Sequence, residues 1–353
     1  MAQVVCYLNQ GGNDYDGRQG AHISAIFVVL VVSTAVTFFP VLATKQTKVK
    51  IPLYVYLFAR YFGAGVIIAT AFIHLLDPAY SAIGPNTCVG MTAGWNSYSW
   101  VPAIALTSSM FIFLMDFAAE RYVEKKYGLK HGHSEVVAVG TDGTQKRVGH
   151  STHQHLHSGD QDAEPKSAQV ADESSDASLK QGDSESLAER SFRQQIAAFL
   201  ILEFGVIFHS VIIGLTLGSA GEEFSTLYVV IVFHQSFEGL GIGARLSAIS
   251  FPHRLRWMPY VLCAAYGLTT PIAIAIGVGL ATVYDSGSFT AQIVSGVLDS
   301  TSAGILLYTG FVELLARDFL FNPDRTDDDK QLAFMLVSLF LGAALMALLG
   351  KWA

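Results

Sequence analysis

The sequence predicts an all-α membrane protein with eight transmembrane helices, both termini outside, and a long polar His-rich loop in the cytoplasm. Three observations point that way. Of 353 residues, 51% are apolar and only 14% are charged, whereas soluble proteins carry about 25% charged residues. The charges are unevenly spread, so apolar runs of ~20 residues, enough for a ~30 Å hydrocarbon core, can be placed eight times. Of the 22 Lys and Arg, 19 fall on connections that share one side of those spans. That side is cytoplasmic by the positive-inside rule.

The spans run roughly 21–43, 53–76, 98–119, 194–218, 225–246, 260–282, 289–315 and 331–350. The first lasts longer than a signal-peptide core and ends in Lys rather than at a small-residue cleavage site, so a retained helix is expected. Lys45, Lys48 and Lys50 follow it. The connection 120–193 holds ten basic residues; Arg245 stands at the inner end of the fifth span with Arg254 and Arg256 after it, and Arg317, Arg325 and Lys330 follow the seventh. The connections near 77–97, 219–224 and 283–288 hold none. Pro271 and several glycines interrupt the sixth and seventh spans, which membrane helices tolerate.

Segment 120–193 is the one break in composition, rich in Ser, Asp, Glu, Gln and Gly without an apolar period, and disorder is the expectation. The chain therefore divides into an extracellular N-terminal tail with helices one to three (1–119), a cytoplasmic His-rich loop (120–193), and helices four to eight (194–353). The loop contains His131, His133, His150, His153, His155 and His157. Neutral imidazole is a common metal ligand, so a zinc-binding or sensing loop is one reading and a polar linker the other. With net charge −7 and basic residues confined to short stretches, no nucleic-acid surface is expected; the partner is the lipid bilayer. Three cysteines without a CxxC exclude a finger-type zinc module. Cys6 and Cys88 both lie outside and could pair, while Cys263 reads as packing.

Ionisable residues at membrane depth cost about 2.5–3.5 kcal/mol each on insertion scales, so each needs a reason. His209 lies about ten residues from the outer end of the fourth span, and His234 about ten below the outer start of the fifth. At 1.5 Å per residue both sit ~15 Å below the outer surface, near mid-membrane. Glu238 is one turn deeper on the face of His234, because residues four apart share a helix face. The short connection 219–224 makes these spans antiparallel neighbours. Two nitrogens and one carboxylate oxygen suit Zn²⁺ with a fourth position open, for which Ser210, Gln235 and water are candidates. Fe²⁺, Mn²⁺ and Cd²⁺ fit the same ligand types.

His74 and Asp77, three residues apart, stand at the outer end of the second span, either as a funnel for cations or as an ordinary polar helix end. Glu203 and Asp116 lie toward the cytoplasmic half. Asp299 and Glu313, on the seventh span, face the bundle interior or another subunit.

The segments HSVIIGLTLG and HQSFEGLGIGARL resemble the signature of ZIP-family divalent-metal transporters. IPLYVYLFARYFGAGVIIATAFIHLLDPAY, YGLTTPIAIAIG, SAGILLYTGFVELLARDF and the terminal GKWA resemble its fungal zinc-regulated plasma-membrane branch. That resemblance implies a multi-pass plasma-membrane homodimer, not an enzyme, that moves Zn²⁺ as its substrate into the cytosol by alternating access. It maps His209, Ser210, His234, Gln235 and Glu238 onto the transport site, and His74 and Asp77 onto the metal-admitting end of helix two. Distant members hold two metals, with a carboxylate where this chain has Ile213 and a Glu on helix six. Residues 260–282 lack any carboxylate, so one metal is expected here. A carrier must also release its cargo, which favours micromolar binding, about −8 kcal/mol. Two other functions share some of these features. An intramembrane zinc hydrolase would need a water-activating base such as HExxH supplies, and none occurs. A receptor would sense metal and signal through 120–193 without flux.

Overall fold

The computed structural model of the chain describes residues 15, 17–45, 52–92, 94–127, 173–281, 287–322 and 325–352. These residues form helices and short turns, with no strand among them. The chain divides into two compact units, 1–119 with 192–353, and 120–191. The six loop histidines, from His131 to His157, and Cys6 lie outside the described residues, so the loop metal site and the Cys6–Cys88 pairing stay expectations.

In the larger unit α1 (Gln19–Lys45) packs against α6 (Phe224–Ala248) and α7 (Met258–Leu280). Helix α2 (Leu53–Ala69) packs against α9 (Asp329–Leu349) and also against α6. It continues through a π-helical turn, Thr70–Leu76, into α3 (Asp77–Ile83), which lies along α8 (Phe289–Tyr308). Helices α4 (Trp100–Tyr127) and α5 (Glu173–Ser219) complete the set. Ser109 of α4 donates to the Gly304 carbonyl of α8 at 2.7 Å.

Among the described residues, seven helices are long and apolar enough to cross a membrane. The eighth expected crossing, α8, is 20 residues long and runs on through a second π-helical segment, Thr309–Leu320. Its composition is diluted by Asp299, Ser300, Ser302 and Glu313, all of which are buried. The outer surface shows the inverse pattern. Phe27, Val31, Phe111, Val337 and Phe340 are exposed, which in water would be an aggregation liability and in a bilayer is the lipid-facing surface.

Glycine decides how closely two of the helices approach. A Cβ on Gly63 of α2 would lie 2.1 Å from the Gly241 Cα of α6. No side chain fits between them, so the two backbones touch. That contact lies on the cytoplasmic side of Glu238 and sets the spacing at which α2 and α6 share polar groups above it. Around it a core forms from Tyr61, Phe199, Leu202, Tyr266 and Leu306, with Leu339 of α9 closing one side.

Candidate metal-transport site

Helices α5 and α6 are joined by a short turn and run antiparallel, which sets His209 opposite His234. Their Nε2 atoms are 3.2 Å apart. His234 Nε2 is also 3.3 Å from Glu238 Oε1, one turn further along α6. The three candidate ligand atoms all lie within 4.8 Å of one another, and all three side chains are buried. Two atoms each bound at ~2.0–2.1 Å to one tetrahedral zinc lie ~3.3 Å apart. The two short separations therefore already match edges of a zinc tetrahedron.

The surrounding polar atoms fit a cation as well. Thr70 Oγ1, at the start of the π turn, has one hydrogen to share between two acceptors, Glu238 Oε1 at 3.1 Å and the Val66 carbonyl at 3.0 Å. Among the described residues, the other carboxylate oxygen of Glu238, Ser210 Oγ and His209 Nδ1 are buried with no hydrogen-bond partner. Buried polar atoms are nearly always satisfied, and clusters of exceptions mark functional sites or unseen ions. A cation between the helices would satisfy the free oxygen of Glu238.

The other sequence-derived residues take different places. Gln235 is buried, but its Oε1 accepts a 2.8 Å hydrogen bond from Tyr266 of α7, while its Nε2 has no partner among the described residues. Ser210 keeps a free oxygen. His74 and Asp77, expected together at the helix mouth, are separated in depth. Asp77 is exposed, whereas His74 is buried, with its ring centroid 4.7 Å from that of His234 and edge-on to it. His74 Nε2 is 3.0 Å from the Met346 carbonyl of α9. The π turn is the local cause: its wider winding changes the register at which His74 faces the bundle. Asp116 accepts from Tyr308 at 2.9 Å, an interhelical bond near the cytoplasmic end of α4. Glu203 is buried, and neither of its carboxylate oxygens has a partner among the described residues. Glu313 is buried and bonded by Arg317 at 2.6 Å, and Asp299 lies inside the bundle, so both face the interior.

A cavity of about 340 Å³ descends from the outer ends of the helices to His209 and His234. Ile213 forms part of its wall. Sequence reasoning missed Thr70 and Tyr266 as supports of the site. Thr70 was visible as a hydroxyl within an apolar run, but its partner lies 168 residues away and no spacing rule reaches it.

A family model described as "ZIP Zinc transporter" matches residues 19–350. The chain belongs to the ZIP zinc transporter family. Its relatives include zinc-regulated transporter 1 of Saccharomyces cerevisiae, 57% identical over 97% of this chain and 90% of that protein. Zinc-regulated transporter 1 of Schizosaccharomyces pombe is 42% identical over 97% of this chain and 87% of its own length. Zinc-regulated transporter 2 of Saccharomyces cerevisiae is 34% identical over 98% and 97%. As a member of that family the chain is a multi-pass membrane protein that transports zinc.

Proposed function

We propose that this protein takes up zinc, carrying Zn²⁺ from the outer side to the cytosol through a single-metal site of His209, His234 and Glu238. The observation that carries the reading is the convergence of these three buried side chains, with two separations at tetrahedral-edge length, at the end of an outer cavity that His209 and His234 line. Ser210 is the better-placed protein candidate for a fourth ligand, because its hydroxyl is free and the oxygen of Gln235 is held by Tyr266. His74, edge-on to His234, receives the ion immediately before the site. Mixed nitrogen and oxygen donors favour zinc over Ca²⁺ or Mg²⁺, whose sites are built from oxygen.

The protein works as a carrier rather than an enzyme. No HExxH base accompanies the ligands, and Glu238, which such chemistry would need free, belongs to the ligand set. The form of the path supports alternating access: the outer cavity reaches the site, and below it α2 and α6 touch at Gly63 and Gly241. A plasma-membrane homodimer is the assembly that the family resemblance favours. The loop histidines act as an auxiliary binding segment on the side of release.

Purified full-length protein in zinc-free liposomes tests this directly. Radiolabelled zinc should accumulate inside, saturating in the micromolar range, and cold Cd²⁺ or Fe²⁺ will define the metal range by competition. Zinc binding without accumulation would replace the carrier by a metal-sensing receptor. Bound zinc should fall by one equivalent per chain when His209 and Glu238 are both replaced by Ala; a loss of two would mean a binuclear site.

A further inference from the structure

The outer cavity holds one acidic group that the transport site does not use. Asp299 of α8 is 3% exposed, yet its side chain lines the cavity that ends at His209 and His234. Ser295, one turn away, donates to Asp299 Oδ2 at 3.3 Å, and among the described residues no hydrogen bond reaches Oδ1. On α3, Asp77 and Ser81, also four residues apart but in the opposite order, line the same cavity. Helices α3 and α8 lie against one another, so each presents a carboxylate and a hydroxyl to the same space. Among the described residues, no Lys or Arg lines this cavity to neutralise the two acids.

A buried carboxylate with no cationic partner is unfavourable in an apolar bundle unless it meets a cation or water. Here the open side of Asp299 is the path of the cargo. We propose that Asp299, with Asp77, Ser81 and Ser295, forms an outer oxygen-donor staging site for a partly hydrated divalent cation. This rests on the zinc-uptake reading of the site below it. The donors change with depth, from carboxylate and hydroxyl oxygen at this level to imidazole at His74, His209 and His234. Oxygen donors exchange readily with water and discriminate weakly among divalent cations, whereas imidazole favours zinc and its neighbours. Capture by charge thus precedes selection by nitrogen, and the ion sheds water in steps.

Two arms test the proposal on full-length protein in intact cells, with uptake normalised to surface protein. Asp299→Asn should raise the KM for zinc roughly tenfold, the low end of what a charged cleft contributes to capture, with a smaller fall in kcat. Asp299→Glu should recover much of the loss. A fall in kcat alone, or an unchanged KM, would overturn the staging site in favour of helix packing. In the second arm, Asp299→Cys should react with a membrane-impermeant thiol reagent added outside, above the wild-type background, and Zn²⁺ should slow the reaction. An unreactive cysteine, or one that zinc does not protect, overturns the proposal even where Asp299→Asn fails to reach the surface. Absence of uptake by the wild-type protein would instead sink the transporter reading, while the thiol arm still reports whether the vestibule binds the ion.

Discussion

Two cavities of about the same size, each about 340 Å³, lie at opposite ends of the helical bundle with opposite chemistry. The outer one is lined by His74, Asp77, His209, His234 and Asp299, with no Lys or Arg among the described residues. The inner one is lined by Arg60, Arg245, Glu313, Arg317 and Asp318, and shares no residue with the outer. In the inner cavity the charges are spent on each other. Arg60 Nη2 is 2.8 Å from both Asp318 oxygens, Arg317 bonds Glu313, and Arg245 Nη2 donates to the Glu313 carbonyl at 3.3 Å. The outer acids have no Lys or Arg beside them in their cavity, and the inner acids are held by the protein's own arginines. The outer cavity reaches His209 and His234, and the inner one does not.

The largest effect is expected at the three candidate ligands. Replacing His209 or Glu238 by Ala should lower zinc uptake by more than ~100-fold at normal surface level, beyond the 10–100-fold usual for residues that only support a metal site. Preserved uptake would remove the site from the mechanism.

At the inner cavity, Arg60→Ala leaves Asp318 without its guanidinium. The expected loss is about 1–3 kcal/mol of stability, read as a lower melting temperature in detergent, less than for a fully buried pair because the Arg60 side chain is 30% exposed. The reciprocal exchange, Arg60→Asp with Asp318→Arg, should recover much of it. No change in the single variant would mean the inner pairs are surface ornaments and would undo the contrast between the two ends. The smallest effect belongs to the outer side. Thr70→Val keeps shape but deletes the hydrogen bond to Glu238. Zinc affinity should weaken about tenfold, measured by competition with a fluorescent chelator.

Much of this was legible in one dimension. His209 and His234 could be placed at one depth because helix rise and span length are both constants of the bilayer problem. Glu238 followed from the four-residue helical repeat. The division into capture and closure was not legible. Arg60 and Asp318 are 258 residues apart, and the sequence shows only one charge inside a span and another just past a span end. Asp299 stood between two readings, interior or subunit contact, until the packing of α3 against α8 turned it into the cavity. Likewise His74 and Asp77 looked like equals on one face; both line the outer cavity, but His74 is buried and Asp77 exposed.

The all-helical class, the membrane-length apolar helices and the convergence of His209, His234 and Glu238 were written into the order of residues. Those properties depend on hydropathy, charge count and residues within a turn of each other, all local along the chain. Folding in three dimensions was needed to choose which polar atoms of Gln235 and Glu238 are left without a partner, and to bring Thr70 and Tyr266 in as supports. Such choices depend on which backbones can touch, as at Gly63 and Gly241, and on partners brought together from distant segments.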